Sequence, residues 1–342
     1  RSAMKALKIL GPEELVVEDL PLPEPADDEV RVRMQYGGIC GSDLHYYFLG
    51  RNGAFEVTEP FTPGHEMSGV VDLDPSGTWA PGTPVTIAPA TFGTPQRGIE
   101  DRRHLWPGGT YLGSASTHPH TQGGMQEYRT VKNFMIRALP EGLSVQDAAL
   151  AEPLAVALHA IAIAGGVQDQ RVLVAGCGPI GLCVVAGALA GGAERVDVTD
   201  VLSGPLGRAT ALGASTAYVA GTDAVPAEEY DVVFECSGAA PSITTAMKAV
   251  RKAGTVTQVG MLPDENIGVN LASFVSKEVT YKATFRFDDE IDAAITTLAQ
   301  NPAIASIITT HVIPAQRAVD AFAVAKDSQV SGKVVVSLWL DE

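Results

Sequence analysis

The sequence predicts an α/β protein in two parts: an antiparallel, barrel-like unit followed by a doubly wound parallel sheet. Three observations carry that expectation. A chain of 342 residues is too long for one ordinary hydrophobic core. Its texture changes near residue 150, from short runs broken by Gly and Pro to β-branched runs alternating with Ala-rich helical segments. A strand-like run then leads straight into Gly176-Cys177-Gly178-Pro179-Ile180-Gly181, the kind of turn that opens a nucleotide-binding helix.

In the first half, short apolar-alternating runs at 30–34, 69–73 and 84–88 read as strands, with Pro-rich turns at 21–25 and 81–84. In the second half, strands are expected over 171–175, 196–200, 216–219, 231–235, 255–260 and 279–284. Helices are expected between them over 179–190, 206–212 and 242–252. Strand and helix in alternation imply a parallel sheet with crossover helices. Helices over 290–300 and 315–325 and a last strand over 333–338 follow. Pattern alone does not decide which half this tail joins.

Composition narrows the function classes. Hydrophobic residues at 46% and charged residues at 19% exclude a disordered chain. A net charge of −16 excludes a nucleic-acid partner, which needs a basic footprint, but leaves room for a small anion met by one local cation. Four cysteines, Cys40, Cys177, Cys183 and Cys236, are too scattered for a disulfide framework, and no basic-then-apolar leader is seen, so a cytoplasmic protein is expected. The uncharged stretch 172–193 has a spanning length, yet the glycine motif at its centre separates a strand from a helix. No membrane association is expected.

The glycine motif has a specific division of labour. Gly176 allows the tight turn, Gly178 lets a pyrophosphate approach the backbone, and Gly181 lets helix and strand pack closely. Pro179 and Ile180 open the helix, whose free N–H groups favour an anion. Asp200 stands about 20 residues further on, where a carboxylate accepts from the ribose hydroxyls and repels a 2′-phosphate. Residues 201–206 contain no Arg or Lys, and the first base is Arg208. NAD is therefore expected over NADP.

The first half also carries metal-binding chemistry. Cys40 and His65 offer a thiolate and an imidazole, and Glu66 and Glu152 offer carboxylates. Together they can form a tetrahedral zinc site with one position open to water or substrate. The separation of Cys40 from His65 is no zinc-finger spacing and suits a site assembled from different loops. Each residue alone has a structural reading; their joint occurrence beside a nucleotide motif favours the metal.

At this point GICGSDLHYY (38–47), PGHE (63–66), AEPLAVALHA (151–160), GCGPIG (176–181) and FRF (285–287) resemble the zinc-dependent medium-chain dehydrogenases. The nearest branch acts on polyols and sugar acids, the sorbitol and L-idonate 5-dehydrogenases, and the similarity runs over nearly the whole chain. The pattern around Ser114, Pro119, His120 and Gly124 looks most like the idonate enzymes. The resemblance implies a GroES-like catalytic domain over 1–150, completed by 287–342, around a Rossmann NAD-binding domain over 151–286. It implies catalytic zinc on Cys40, His65 and either Glu66 or Glu152, with a catalytic role for Glu152 as well. It makes Ser42 the hydroxyl that takes the substrate proton, His45 the imidazole that passes it to solvent, and Asp43 the acid that orients a ligand. Tyr46, Phe285 and Arg286 would line the substrate pocket. Relatives pair as homodimers or homotetramers through the edge strand near 279–284.

Two departures stand out. The lobe over 92–111 has no cysteine, so a structural zinc on four thiolates is excluded and one zinc per chain is expected. Pro205 and Leu206 occupy the place where relatives often carry a base toward the adenosine. The expected activity is hydride transfer from a secondary hydroxyl of a sugar acid to NAD, with a sorbitol- or xylitol-type polyol as the alternative. A zinc-free reductase would have no need of Cys40, His65 and Glu152 together. A non-catalytic NAD-binding module would have no need of Ser42 and His45.

Overall fold

The structure, a computed structural model, describes residues 2–342. The first sheet is built on Glu29–Gly38, whose alternating burial turns Val30, Val32 and Met34 inward. It is flanked by Glu66–Leu73 on one side and Lys333–Ser337 on the other, and Tyr128–Lys132 also pairs with it. Beyond these lie Pro84–Ile87 and Ile136–Ala138 on one wing and Thr309–Pro314 on the other. All pairs are antiparallel except Thr309–Pro314 with Lys333–Ser337. An N-terminal hairpin, Ala3–Gly11 with Glu14–Pro21, and the helix Gly41–Leu49 close over this core.

The second sheet has six parallel strands. Along the chain they are Arg171–Ala175, Arg195–Asp200, Ala217–Val219, Tyr230–Glu235, Val250–Gln258 and Thr280–Ala283; in space they run third, second, first, fourth, fifth, sixth. That order places a switch point at the end of the first strand, where open α/β sheets bind ligands. The expected first strand and the helix Pro179–Ala190 fall at their predicted limits. The helix expected over 242–252 stops at Ala249, and the chain enters a strand at Val250. Ala253 there takes a left-handed φ of +56°, a bend that the helical periodicity of the segment did not signal.

The tail divides between the two cores. Helices Ile291–Gln300 and Pro302–Ile308 bury Ile291, Ala294, Leu298, Ile304 and Ile308 in the cluster around the second sheet. Strands Thr309–Pro314 and Lys333–Ser337 and helix Ala318–Lys326 join the first. The second of these helices and the strand Thr309–Pro314 had no counterpart in the sequence reading. No described helix is long and apolar enough to cross a membrane.

Phe322 is fully buried in the first core and leans on Tyr47 with ring centroids 4.9 Å apart. Phe322→Ala should cost about 3–5 kcal/mol in urea unfolding, with NAD affinity held within twofold because the cofactor motif lies on the other sheet.

Candidate metal and cofactor site

Cys40 is the cap of helix Gly41–Leu49. Its N–H donates to Asp43 Oδ2 at 2.9 Å, and its own side chain caps the backbone of Asp43 in return. The sulfur therefore sits at the positive end of a helix, where a thiolate is favoured. Glu66 begins the strand Glu66–Leu73 and His65 immediately precedes it, just after Gly64 turns the chain with a φ of +113°. Glu66 lies opposite Gly38 in the register, and a Cβ on Gly38 would come within 2.4 Å of Glu66 Oε1. Glycine there makes room for the carboxylate. Glu152 arrives separately, in the first turn of Ala151–Ile163.

The donor atoms of Cys40, His65 and Glu66 lie within 4.8 Å of one another, the one such cluster among the described residues. His65 Nε2 is 3.8 Å from Glu66 Oε2 and 3.7 Å from Glu152 Oε2. Burial works against a charge on His65, yet Glu152 and Cys40 raise its proton affinity well above the usual range. A divalent cation would satisfy the same negative groups. Sulfur, nitrogen and carboxylate oxygen in this grouping are zinc donors, and the site fits that ion.

Two residues absent from the sequence reading complete the site. Lys333, 2% exposed, sets Nζ 2.8 Å from Glu66 Oε1 and 3.1 Å from Oε2, and donates to the carbonyl of Ile39 at 2.8 Å. Burial opposes its charge, but Glu66 and Cys40 more than offset that and hold the ammonium protonated. Tyr111 donates its hydroxyl to Glu152 Oε2 at 2.7 Å. Burial, then the Glu152 charge, push its phenol well above the ordinary range. Burial, together with Glu66, also raises Glu152, against the pull of His65. No local motif marks either residue; each reaches the site through pairing of strands remote in sequence.

The remaining expected residues lie on helix Gly41–Leu49 and at 285–286. Ser42 and His45 lie one turn apart on helix Gly41–Leu49, and His45 is exposed. Tyr46 is buried edge-on against Phe61, centroids 4.9 Å apart, and its hydroxyl accepts from Ala115 N–H at 3.1 Å. Arg286 lays its guanidinium 4.2 Å from the Tyr111 ring centroid and 4.7 Å from that of Phe285. It adopts a left-handed φ of +51°, costing on the order of 1 kcal/mol, which the stacking must hold in place. The cysteine-free lobe is fastened by an ion pair and ring contacts. Arg103 pairs with Asp288 at 2.9 Å and covers Phe92, while His104 meets His159, which bonds Glu290 at 2.9 Å.

The glycine loop is closed at one position and open at another. A Cβ on Gly181 would lie 1.9 Å from the carbonyl oxygen of Gly176, whereas one on Gly178 would meet nothing within 4 Å. The first glycine contact closes the turn; the second space admits a pyrophosphate beside the N–H groups of Ile180 and Gly181. Asp200 accepts from Cys177 N–H at 2.8 Å and Leu202 N–H at 2.9 Å, so its carboxylate is fixed at the rim of a cavity of about 470 Å³. A second cavity of about 360 Å³ runs between His45, Phe48, Pro179 and Lys326. Arg208 is not free for a phosphate: it donates to the carbonyls of Ser328, Gln329 and Ser331 at 2.8–3.1 Å. The fit is to NAD.

Asp200→Ala should narrow the NAD preference through loss of NAD affinity, with little gain for NADP, as kcat/KM for both cofactors will show. A strong gain for NADP would mean that a cation other than Arg208 faces the 2′ position.

The comparisons with known proteins agree with this geometry. Residues 26–141 match the alcohol dehydrogenase GroES-like domain and residues 179–300 the zinc-binding dehydrogenase family. The chain is 33% identical to human sorbitol dehydrogenase over 334 residues, covering 93% of this chain and 91% of that one. It is also 33% identical to L-idonate 5-dehydrogenase (NAD(P)(+)) of Escherichia coli K12 over 279 residues, covering 78% and 80%. The crystal structure of L-idonate 5-dehydrogenase from that strain superposes with a TM-score of 0.92 at 29% identity, over 98% of both chains. Zinc and NAD are its cofactors, and a small molecule is its substrate. The protein belongs to the zinc-dependent medium-chain alcohol dehydrogenases, in the branch that oxidises polyols and sugar acids.

Proposed function

We propose that the protein oxidises a secondary hydroxyl of a sugar acid, L-idonate or a close relative, at a carbon remote from the carboxylate, with NAD as hydride acceptor. One observation carries this reading: Arg286 is stacked on Tyr111, whose hydroxyl bonds Glu152 beside His65. A chain at −16 repels anions at long range, so an anionic substrate needs a local cation in the cleft. A guanidinium holds a carboxylate through two parallel hydrogen bonds, which a neutral polyol uses less well. The likeness to sorbitol dehydrogenase favours a second reading, in which Arg286 bonds polyol hydroxyls.

Cys40 and His65 with either Glu66 or Glu152 would hold the zinc, the donor atoms of Cys40, His65 and Glu66 being already within 4.8 Å of one another. When bound, zinc acidifies a substrate hydroxyl as a Lewis acid, and NAD takes the hydride. The chain's own groups do the rest. Asp43 fixes Cys40 through its N–H, and Lys333 holds Glu66 in place. Ser42 takes the hydroxyl proton and passes it one turn along the helix to His45, which releases it to solvent. Tyr46, Phe285 and Arg286 line the pocket and orient the substrate carbon toward the nicotinamide.

The same reading divides the chain into a catalytic unit, 1–150 with 287–342, and a cofactor unit, 151–286. The two helices between 291 and 308 pack on the cofactor side. We further propose a cytoplasmic homodimer or homotetramer. The edge strand Thr280–Ala283 is exposed along its length and lies beside the exposed Val275 and Leu271, which support pairing there.

Metal analysis should return one zinc per chain, and Cys40→Ser should abolish it while NAD binding persists; two firmly held zincs would refute the assignment. Arg286→Gln should cost a sugar acid roughly tenfold to a hundredfold more kcat/KM than a neutral polyol. Equal losses, or a wild type that oxidises sorbitol and ignores sugar acids, would establish the polyol reading.

A further inference from the structure

We propose that Asn52 is a positioning residue of the proton relay: its amide oxygen fixes the tautomer of His45 and leaves Nε2 as the nitrogen that accepts the proton. The inference rests on the relay reading of Ser42 and His45 and adds to it a residue that no motif marks.

The local fold brings Asn52 back to a helix it has already left. Helix Gly41–Leu49 ends at Gly50, whose φ of +71° reverses the chain while its N–H bonds the carbonyl of Tyr46 at 3.1 Å. A two-residue strand, Arg51–Asn52, then pairs with Phe55–Glu56 around Gly53, itself at φ +59°. Arg51 Nε donates to the carbonyl of Gly53 at 3.0 Å, and Val57 N–H returns to the carbonyl of Gly50 at 2.9 Å. Each contact narrows the positions open to Asn52. The result is Asn52 Oδ1 at 3.1 Å from His45 Nδ1.

An amide oxygen only accepts, so this bond requires the proton on Nδ1. The amide oxygen of Asn52, not its NH₂ group, is the atom set against His45 Nδ1. A neutral imidazole protonated on Nδ1 has its lone pair on Nε2, and one ring nitrogen's hydrogen bond decides the role of the other. A free histidine side chain prefers the opposite tautomer, in which Nε2 carries the proton and cannot take another. The same logic governs hydrolases in which an acceptor behind the histidine keeps its outer nitrogen basic.

The charged groups on the surrounding elements are few. Arg51 and Glu56 face each other across the hairpin, and Lys326 is parked 4.3 Å over Phe48. Asp43 lies buried at the start of the same helix, and the first turn of Pro179–Ala190 carries no charge.

The test is the pH dependence of kcat for substrate oxidation at saturating NAD, with L-idonate or sorbitol, in the zinc-loaded protein. Asn52→Leu should lower kcat at neutral pH roughly threefold to tenfold with KM for NAD unchanged. Asn52→Asp sets a carboxylate against Nδ1–H and favours the charged ring, so the acidic limb should move up by about one pH unit. His45→Ala should remove the limb, and in that background neither Asn52 substitution should matter. A limb that disappears in His45→Ala but ignores both Asn52 variants refutes the role of Asn52 and leaves the relay standing. A limb that survives His45→Ala refutes the relay itself.

Discussion

Cys40, Asp43, Glu66 and Glu152 gather around one imidazole, and Asp43, Glu66 and Glu152 are all nearly or wholly closed to water. Unpaired negative charge in such a place costs several kcal/mol per group. Much of the architecture follows from supplying the opposite charge. The helix Gly41–Leu49 points its N-terminus at Cys40, Tyr111 gives Glu152 a proton to share, and Lys333 places an ammonium against Glu66. Lys333 can do so only because the last strand of the chain inserts beside Glu29–Gly38. The return of the C-terminus to the first sheet is thus an electrostatic requirement as well as a packing outcome. Zinc supplies what remains.

The same constraint ties the two halves together. Glu152 starts a helix that lies along Pro179–Ala190, and a Cβ on Gly187 would meet Ile161 and Leu158 at 3.0–3.1 Å. The segment that brings a carboxylate to the metal thus rests on the segment that opens the pyrophosphate site. Helix packed on helix thus joins Glu152 to the glycine motif more rigidly than a loop would.

Much of this was legible in the sequence where the chemistry is local. The glycine loop, its strand and Asp200 could be read because turn, helix start and acid occur at fixed offsets along the chain. Cys40, His65 and Glu66 were found for a related reason: each sits within a short, chemically loaded run. Lys333 and Tyr111 escaped because a lone lysine in a β-branched run and a lone tyrosine after two glycines carry no periodic signal. Lys333 meets Glu66 across 267 residues of chain and Tyr111 meets Glu152 across 41, separations that no local pattern reports. The helix Pro302–Ile308 was missed because seven residues are too few to establish a period. The bond from Ala115 N–H to the Tyr46 hydroxyl was not legible either, because it joins residues 69 apart in the chain.

Arg208 carries a consequence for how the enzyme could change. Its guanidinium rivets the loop before the last strand to the helix that follows the ribose-binding acid. Gln329 adds bonds to Ser203 and Gly204 at the head of that helix. The first base after Asp200 along the chain is therefore a mechanical fastener between the helix beside the parallel sheet and the loop that leads into Lys333–Ser337. A lineage that recruited it for NADP would give up those bonds, whereas Lys248 already lines the same cavity as Asp200. Cofactor choice and the fastening of that loop are coupled through Arg208 and not through Lys248.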